Sequence, residues 1–407
     1  MSEFEAVLSR SLPRMRGAVP RGASVVLSLL DRLVDGSVDM TLPDGQSLRL
    51  GRGASAARVQ IREWRMFDAV LGKGDIGLAE AYIDGLWEAD DLAAFLALLV
   101  RSRKVLERAV YGNALRLIAY RVGHLLRTNT RGGARRNIMA HYDLGNDFYR
   151  RWLDPTMSYS AALYSYGGER SMASAQLAKY RRILRCLGVR PGDRILEIGC
   201  GWGGFAETAA REAGAEVHGV TLSPSQLAWA EERLRVAGLD GQVRLELRDY
   251  RDLSGEYDHI VSIEMFEAVG ERWWNTYFGQ LSRLLKPEGR ALIQTITIRD
   301  DLFARYRRGT DFIQQYVFPG GMLPSPAVFA RNAQRSGLAV RDAFAFGPDY
   351  ARTLAGWLAA FDAAWPEISR QGFDESFRRL WRFYLAYCEA GFRSGCTDVH
   401  QFELMRD

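Results

Sequence analysis

The run Glu197-Ile198-Gly199-Cys200-Gly201-Trp202-Gly203-Gly204 holds the residue types best placed for chemistry, a carboxylate followed by a glycine-rich turn. It joins an apolar strand ending at Arg194-Ile195-Leu196 to a helix expected from Phe205 to Arg211. Glycines at 199, 201, 203 and 204 permit positive φ and let the backbone approach a ligand where a Cβ would clash. The spacing also fits Gly-x-Gly-x-x-Gly, so the turn by itself leaves a dinucleotide site open, as well as a turn used only for packing. A dinucleotide site needs an Asp or Glu about 20 residues on, at the tip of the second strand, for the ribose hydroxyls. Here that strand ends in Val217-His218-Gly219-Val220-Thr221-Leu222-Ser223, with no acid. Glu197 would repel a pyrophosphate, whereas it suits the cationic methionyl end of S-adenosylmethionine. The expected cofactor is therefore the sulfonium.

The elements that must position these residues follow from periodicity. From residue 175 onward strands and helices alternate, which predicts an α/β, Rossmann-like domain with a mostly parallel sheet and helices on both faces. The strand candidates are Ile195–Ile198, Glu216–Val220, Arg244–Leu247, His259–Ile263 and Arg290–Thr297. Ligands of such sheets sit at the carboxyl ends of the strands, here marked by Glu197, Thr221, Asp249, Glu264 and Gln294. Residues 1–108 read as a smaller α+β domain. It has a helical stretch near Val25–Val34, a hairpin of Asp39–Leu42 and Ser47–Leu50 around Pro43-Asp44-Gly45, and a helical second half from about Arg62. Residues 109–136 read as a linker ending in the joint Arg131-Gly132-Gly133-Ala134-Arg135-Arg136, and 137–407 as the catalytic domain.

At 407 residues the chain is long enough for two domains with substantial cores. Its four cysteines lack Cys-x-x-Cys spacing and its five histidines are scattered, so neither a disulfide framework nor a metal site is expected. The longest apolar run, Leu92–Val100, is nine residues and too short to span a bilayer. With no signal-peptide layout at the N-terminus, the expected location is cytoplasmic. Charge is uneven: residues 1–136 carry 21 Lys and Arg against 15 Asp and Glu, leaving 33 against 34 for the rest. Within 101–136 ten basic residues face one acid, Glu107, among apolar residues such as Leu115, Ile118 and Leu125. Such a segment suits an anionic membrane surface, or else is a linker helix packed on protein. No nucleic-acid partner is expected, and a homo-oligomer is left open.

Several motifs carry a family likeness: His141-Tyr142-Asp143-Leu144-Gly145-Asn146-Asp147-Phe148-Tyr149, Met157-Ser158-Tyr159-Ser160, the glycine loop 199–204, Gly219-Val220-Thr221-Leu222-Ser223, Met265-Phe266-Glu267, and Tyr316-Val317-Phe318-Pro319-Gly320-Gly321 with Leu323-Pro324-Ser325. Together they resemble the cyclopropane-fatty-acyl-phospholipid synthase family, which includes the mycolic acid cyclopropane synthases. The stretch Gly77–Trp87 resembles the N-terminal lipid-associating domain of bacterial members. The resemblance implies methyl transfer from S-adenosylmethionine to a double bond in an acyl chain, most often that of a phospholipid, by an enzyme held peripherally at the inner face of the membrane. It implies a cofactor pocket of Tyr159, Ser160, Glu197, Gly199, Gly201, Trp202, Thr221 and Gln226, with Asp249 and Tyr250 near the adenine. Tyr159, Tyr316, Phe318 and Tyr350 would surround the cationic intermediate, whose charge aromatic faces stabilise without capturing it.

The chain departs from the family where a ring is closed. Cyclopropane-forming members are understood to hold a bicarbonate base with a Cys, a Glu followed by His, a further His and a Tyr. Here Glu267 and Tyr350 remain, but the other positions carry Ala161, Ala268 and Gln294, so a bound bicarbonate is not expected. Glu264 stands where those members usually have Gly, in Val261-Ser262-Ile263-Glu264-Met265-Phe266-Glu267. Two carboxylates three residues apart disfavour a third anion and suit a built-in base shared by Glu264 and Glu267. The expected product is a methyl-branched alkene. A true cyclopropane synthase, a non-catalytic lipid-binding paralogue and a small-molecule methyltransferase are the alternatives.

Overall fold

Alternating apolar residues along the central strands explain how one sheet acquires two buried faces. Leu196, Ile260 and Ile293 join Phe266, Trp274, Tyr277, Phe278 and Phe329 in one apolar cluster. Their sequence neighbours Ile195, Val261 and Leu292 join Tyr180, Leu184, Phe205 and Ala209 in another. Side chains of a strand alternate between faces, so each run of consecutive apolar residues serves both layers. The structure, a computed structural model, describes residues 19–103, 144–165, 168 and 170–407. Most of the basic 101–136 segment, with the joint at 131–136 and His141-Tyr142-Asp143, lies outside the described residues.

Two compact units divide the chain. The first contains β1 (Gly36–Thr41), β2 (Ser47–Arg52), β3 (Ser55–Ile61) and β4 (Trp87–Ala89) in the order β2-β1-β3-β4. The expected hairpin is present, with Thr41 opposite Ser47, preceded by the helix Arg21–Leu30. β3 and β4 were not anticipated, because the polar Arg58 and Gln60 and the brevity of Trp87–Ala89 hide them. Residues 309–316 and 372–396, assigned by sequence to the 137–407 domain, group with this unit. Phe312 lies 4.9 Å from the Phe383 ring, and Asp75 accepts hydrogen bonds from the Phe312 N–H and the Tyr387 hydroxyl. Arg379 donates to the carbonyls of Tyr82 and Trp87. Such pairings across some 300 positions leave no local signature.

The second unit is built on β5 (Arg194–Ile198), β6 (Glu216–Thr221), β7 (Val243–Leu247), β8 (Tyr257–Ile263), β9 (Leu285–Ile298), β10 (Leu338–Ala345) and β11 (Thr397–Arg406). The order is β10-β11-β9-β8-β5-β6-β7, and the five central and edge strands from β9 to β7 run parallel. β10 and β11 add an antiparallel edge that the sequence reading did not include. Since β5 borders both β6 and β8, the chain reverses its direction of winding there, and the crevice for a ligand opens at the carboxyl ends of β5 and its neighbours.

Two helices frame that crevice. Met172–Leu187 starts at the Ser171 cap and ends at the left-handed Gly188 (φ 67°). It turns Tyr180, Ile183 and Leu184 into the core and also buries Gln176 and Lys179. Gly347–Ile368 fastens the preceding irregular segment. Asp349 Oδ2 accepts from the Tyr164 and Ser165 amides and the Ser165 hydroxyl, while Thr353 Oγ1 accepts from the Ala162 amide. The segment 159–165 thus has a fixed path although it is neither helix nor strand.

Candidate active site

β8 ends at Ile263, which lies opposite Gln294 of β9, and the next residue leaves the sheet with φ 50°. That residue is Glu264. A left-handed conformation is uncommon for a side chain of this size and costs about 1–3 kcal/mol, so something must hold it. Its carboxylate meets three donors from three separate segments. Oε1 accepts from the Ala161 amide at 2.8 Å and from Gln294 Nε2 at 2.7 Å, and Oε2 accepts from the Tyr350 hydroxyl at 2.6 Å. The Glu264 amide donates to the Gln294 carbonyl at 2.8 Å, completing the fixation. Burial pushes its pKa up, while Lys179 nearby, the Tyr350 hydroxyl and the other donors favour the charged form.

Glu267, on the turn Phe266–Ala268, is held less evenly. Oε1 accepts from the Ile296 amide and from Thr295 Oγ1, but Oε2 is buried with no partner among the described residues. Burial, followed by the charge of Glu264, pushes its pKa up to about 8. Burial of both groups and their mutual repulsion disfavour a second negative charge, and Glu264, with three donors on its carboxylate, is the better-supported site for the first.

Glu197 lies at the end of β5, 3% exposed, with Oε2 buried and unpartnered among the described residues. Burial raises its pKa well above the usual carboxylate range against the opposing effects of the Ala206 backbone, Arg233 and Lys179. The glycine loop beside it is shaped for close approach. Gly199, Gly201 and Gly203 have φ of 84°, 51° and 80°. A Cβ at Gly199 would come within 2.9 Å of Met265, whereas at Gly201 it would meet nothing within 4 Å. An orphaned buried carboxylate oxygen and open space at Gly201 fit S-adenosylmethionine, whose ammonium would complete the shell of Glu197.

At the tip of β6, Thr221 and Gln226 are both buried and hydrogen-bonded to one another at 3.2 Å. Ser160 is buried and receives a hydrogen bond from Lys179. Trp202 is buried, donating from Nε1 to Asn146 Oδ1 at 2.8 Å. Tyr159 is half-buried in an aromatic group, 5.2 Å from Trp357, 5.4 Å from Tyr149 and 5.7 Å from Trp152. Trp202 extends this group through Tyr149 at 5.2 Å, and Tyr350 through Trp357 at 6.1 Å. The side chain of Asp249 pairs with Arg251, so any adenine contact must use its remaining lone pairs. Half-buried Tyr250 has its phenol pKa pushed up by burial.

Tyr316 and Phe318 fall in different compact units. Tyr316 belongs to the first unit, is 39% exposed, and donates its hydroxyl to Glu80 Oε1 at 2.7 Å. Phe318 belongs to the second unit, where its carbonyl accepts from the Gly321 amide. Ala161 and Gln294, read from sequence as losses, instead supply an amide N–H and a carboxamide N–H to Glu264. Sequence reasoning missed Trp357, Asp349 and Lys179. Only an excess of polar and aromatic types in apolar stretches could have pointed to them.

Because folding raises the pKa of Glu267 from its usual 4.5 to about 8, folding favours the protonated form. The associated stability is complete below the unfolded value and is lost as pH rises through the folded one. Glu267→Gln removes that dependence. Its melting temperature relative to wild type should gain at least about 2 °C between pH 5 and pH 9 in calorimetric scans; an unchanged difference would show that Glu267 is ionised throughout.

With this geometry in hand, comparisons place the chain among known proteins. The sequence profile described as mycolic acid cyclopropane synthetase matches residues 129–402. Tuberculostearic acid methyltransferase UfaA1 of Mycobacterium tuberculosis is 41% identical over 342 residues, 82% of this chain and 79% of that protein. Cyclopropane-fatty-acyl-phospholipid synthase of Escherichia coli K12 is 39% identical over 360 residues, 87% of this chain and 89% of its own length. Among solved structures, mycolic acid cyclopropane synthase CmaA1 complexed with SAH and CTAB aligns with a TM-score of 0.63 at 33% identity, covering 67% of this chain and 98% of that one. The parallel sheet, the glycine loop with its carboxylate and these likenesses agree, and the chain belongs to the cyclopropane synthase family of S-adenosylmethionine-dependent methyltransferases.

Proposed function

We propose that this enzyme methylates a double bond of an unsaturated acyl chain in a membrane phospholipid and releases a methyl-branched alkene, with Glu264 as the base. The carrying observation is the Glu264 carboxylate fixed by Ala161, Gln294 and Tyr350. By family resemblance, these three positions carry ligands for a diffusible anion in ring-closing members. In this chain all three donate to a carboxylate of the protein itself.

When bound, S-adenosylmethionine supplies an electrophilic methyl group, whose addition to an alkene leaves a carbocation on the neighbouring carbon. Glu197, the loop 199–204, Thr221 and Gln226 are the residues to hold the cofactor. Tyr159 and Trp357 present aromatic faces, which lower the energy of a cation and exclude water from it. Glu264 takes a proton from the intermediate. A proton taken from the new methyl group closes a ring, whereas one taken from the adjoining chain methylene leaves a branched alkene. Both products gain the same CH₂. A carboxylate tethered to β8 cannot migrate toward the methyl group as a free ion could, which supports the alkene. The E. coli relative's name favours the ring and the UfaA1 name favours methylation. An intact cofactor site argues against a non-catalytic paralogue.

Glu264→Gln keeps the size of the side chain and removes the proton acceptor. Turnover should fall by at least about 10²-fold, the usual cost of losing a general base, while the Kd for S-adenosylmethionine measured by calorimetry stays near wild type. Turnover within tenfold of wild type would exclude Glu264 as the base.

The ten basic residues of 101–136 support docking on an anionic inner membrane surface. Binding of the full-length protein to phosphatidylglycerol vesicles should then weaken with added salt and with Arg116, Arg121 and Arg127 changed to Glu. Equal binding to neutral and anionic vesicles at every salt concentration would exclude this role.

A further inference from the structure

Lys179 is the one lysine among the largest fully buried side chains of the described residues, at 0% exposure on the helix Met172–Leu187. Its neighbours on that helix include Arg181 and Arg185, which lie at or near the surface, so its burial is specific to its own face. Nζ donates to Ser160 Oγ and to Gln176 Oε1, both at 2.5 Å, and lies 4.6 Å from the centre of the Tyr180 ring. Gln176, also fully buried, turns its Nε2 back to the Ser160 carbonyl at 2.8 Å. Ser160 is thus gripped at its hydroxyl and its carbonyl, and the amide of the next residue, Ala161, is one of the three donors to Glu264.

No carboxylate among the described residues lies within ion-pair distance of Lys179, yet Glu264, Glu197 and Asp154 all act on it electrostatically. Burying an ammonium without a direct partner is costly. Burial pushes its pKa down to about 8 even against the opposing effect of the three carboxylates. A group retained at that cost beside a base suggests an electrostatic purpose rather than packing.

We propose that Lys179 is a positioning residue for the reaction, a buried ammonium that anchors the Ser160-Ala161 backbone against Glu264 and supplies the positive charge that keeps Glu264 ionised. This rests on Glu264 being the base. The groups facing Glu264 divide by sign. Lys179 and the donors Ala161, Gln294 and Tyr350 favour its anion, and Glu267 opposes it when ionised. Removing the ammonium leaves neutral donors alone to offset burial, and Glu264 then protonates at higher pH. Since the base must be ionised to work, the rate falls as pH drops through its folded pKa, and the acid limb must move upward.

The test is the pH dependence of turnover by the full-length enzyme between pH 5.5 and 9, with saturating S-adenosylmethionine and unsaturated phospholipid vesicles. Lys179→Met should shift the acid limb upward by about one pH unit or more, the usual effect of losing a nearby opposite charge. Lys179→Gln, which removes the charge but keeps an N–H to donate to Ser160 Oγ, should shift it the same way. That variant decides the matter if Lys179→Met does not fold. A loss of rate equal at every pH, with the limb unmoved, would make Lys179 merely structural and overturn the proposal. If Glu264→Gln is inactive while the limb stays fixed in both variants, only the role of Lys179 fails. If Glu264→Gln remains active, the assignment of the base fails instead.

Discussion

A carboxylate held away from its sheet at positive φ by donors from three segments is the constraint on which the rest of this active site depends. Glu264 adopts a backbone conformation that its side chain disfavours, and the hydrogen bonds from Ala161, Gln294 and Tyr350 offset that cost. Each donor in turn needs a support. β9 delivers Gln294 by register with β8, the helix Gly347–Ile368 delivers Tyr350, and Asp349 and Thr353 of that same helix fasten the segment that carries Ala161. Moving any one support frees a donor and leaves Glu264 with less reason to remain ionised or in place.

Electrostatics sorts the buried carboxyls into different tasks. Glu197 is buried with one oxygen left unpartnered among the described residues. Glu264 is surrounded by donors that favour its anion, whereas burial and the charge of Glu264 push the pKa of Glu267 up to about 8. Burial and partners alone thus give comparable carboxyls different electrostatic character, which is what the proposed roles of Glu197 as cofactor anchor and Glu264 as base require. The aromatic group around Tyr159 and Trp357 adds a surface that tolerates positive charge without reacting with it.

Much of this was legible in sequence because its signals are local. The glycine loop, Glu197 before it, the five parallel strands and the Glu264-Glu267 spacing are each contained in a few consecutive residues. What depended on distant pairing was not legible. Lys179 looks like a surface residue in Lys179-Tyr180-Arg181-Arg182, and only its packing partners reveal it as buried. The antiparallel edge of β10 and β11 has mixed polar character, and the grouping of 309–316 and 372–396 with the N-terminal unit rests on contacts such as Phe312 with Phe383. Ala161 is illegible for a more specific reason: the sequence shows only its small side chain, whereas the group that donates is its backbone amide.

The product records where the proton is removed. Proton NMR of the phospholipid purified after full conversion by the wild-type enzyme would read it directly. A tethered Glu264 predicts olefinic proton signals together with a new branch methyl at the modified site. Upfield cyclopropane methylene signals, with no olefin remaining at that site, would contradict it.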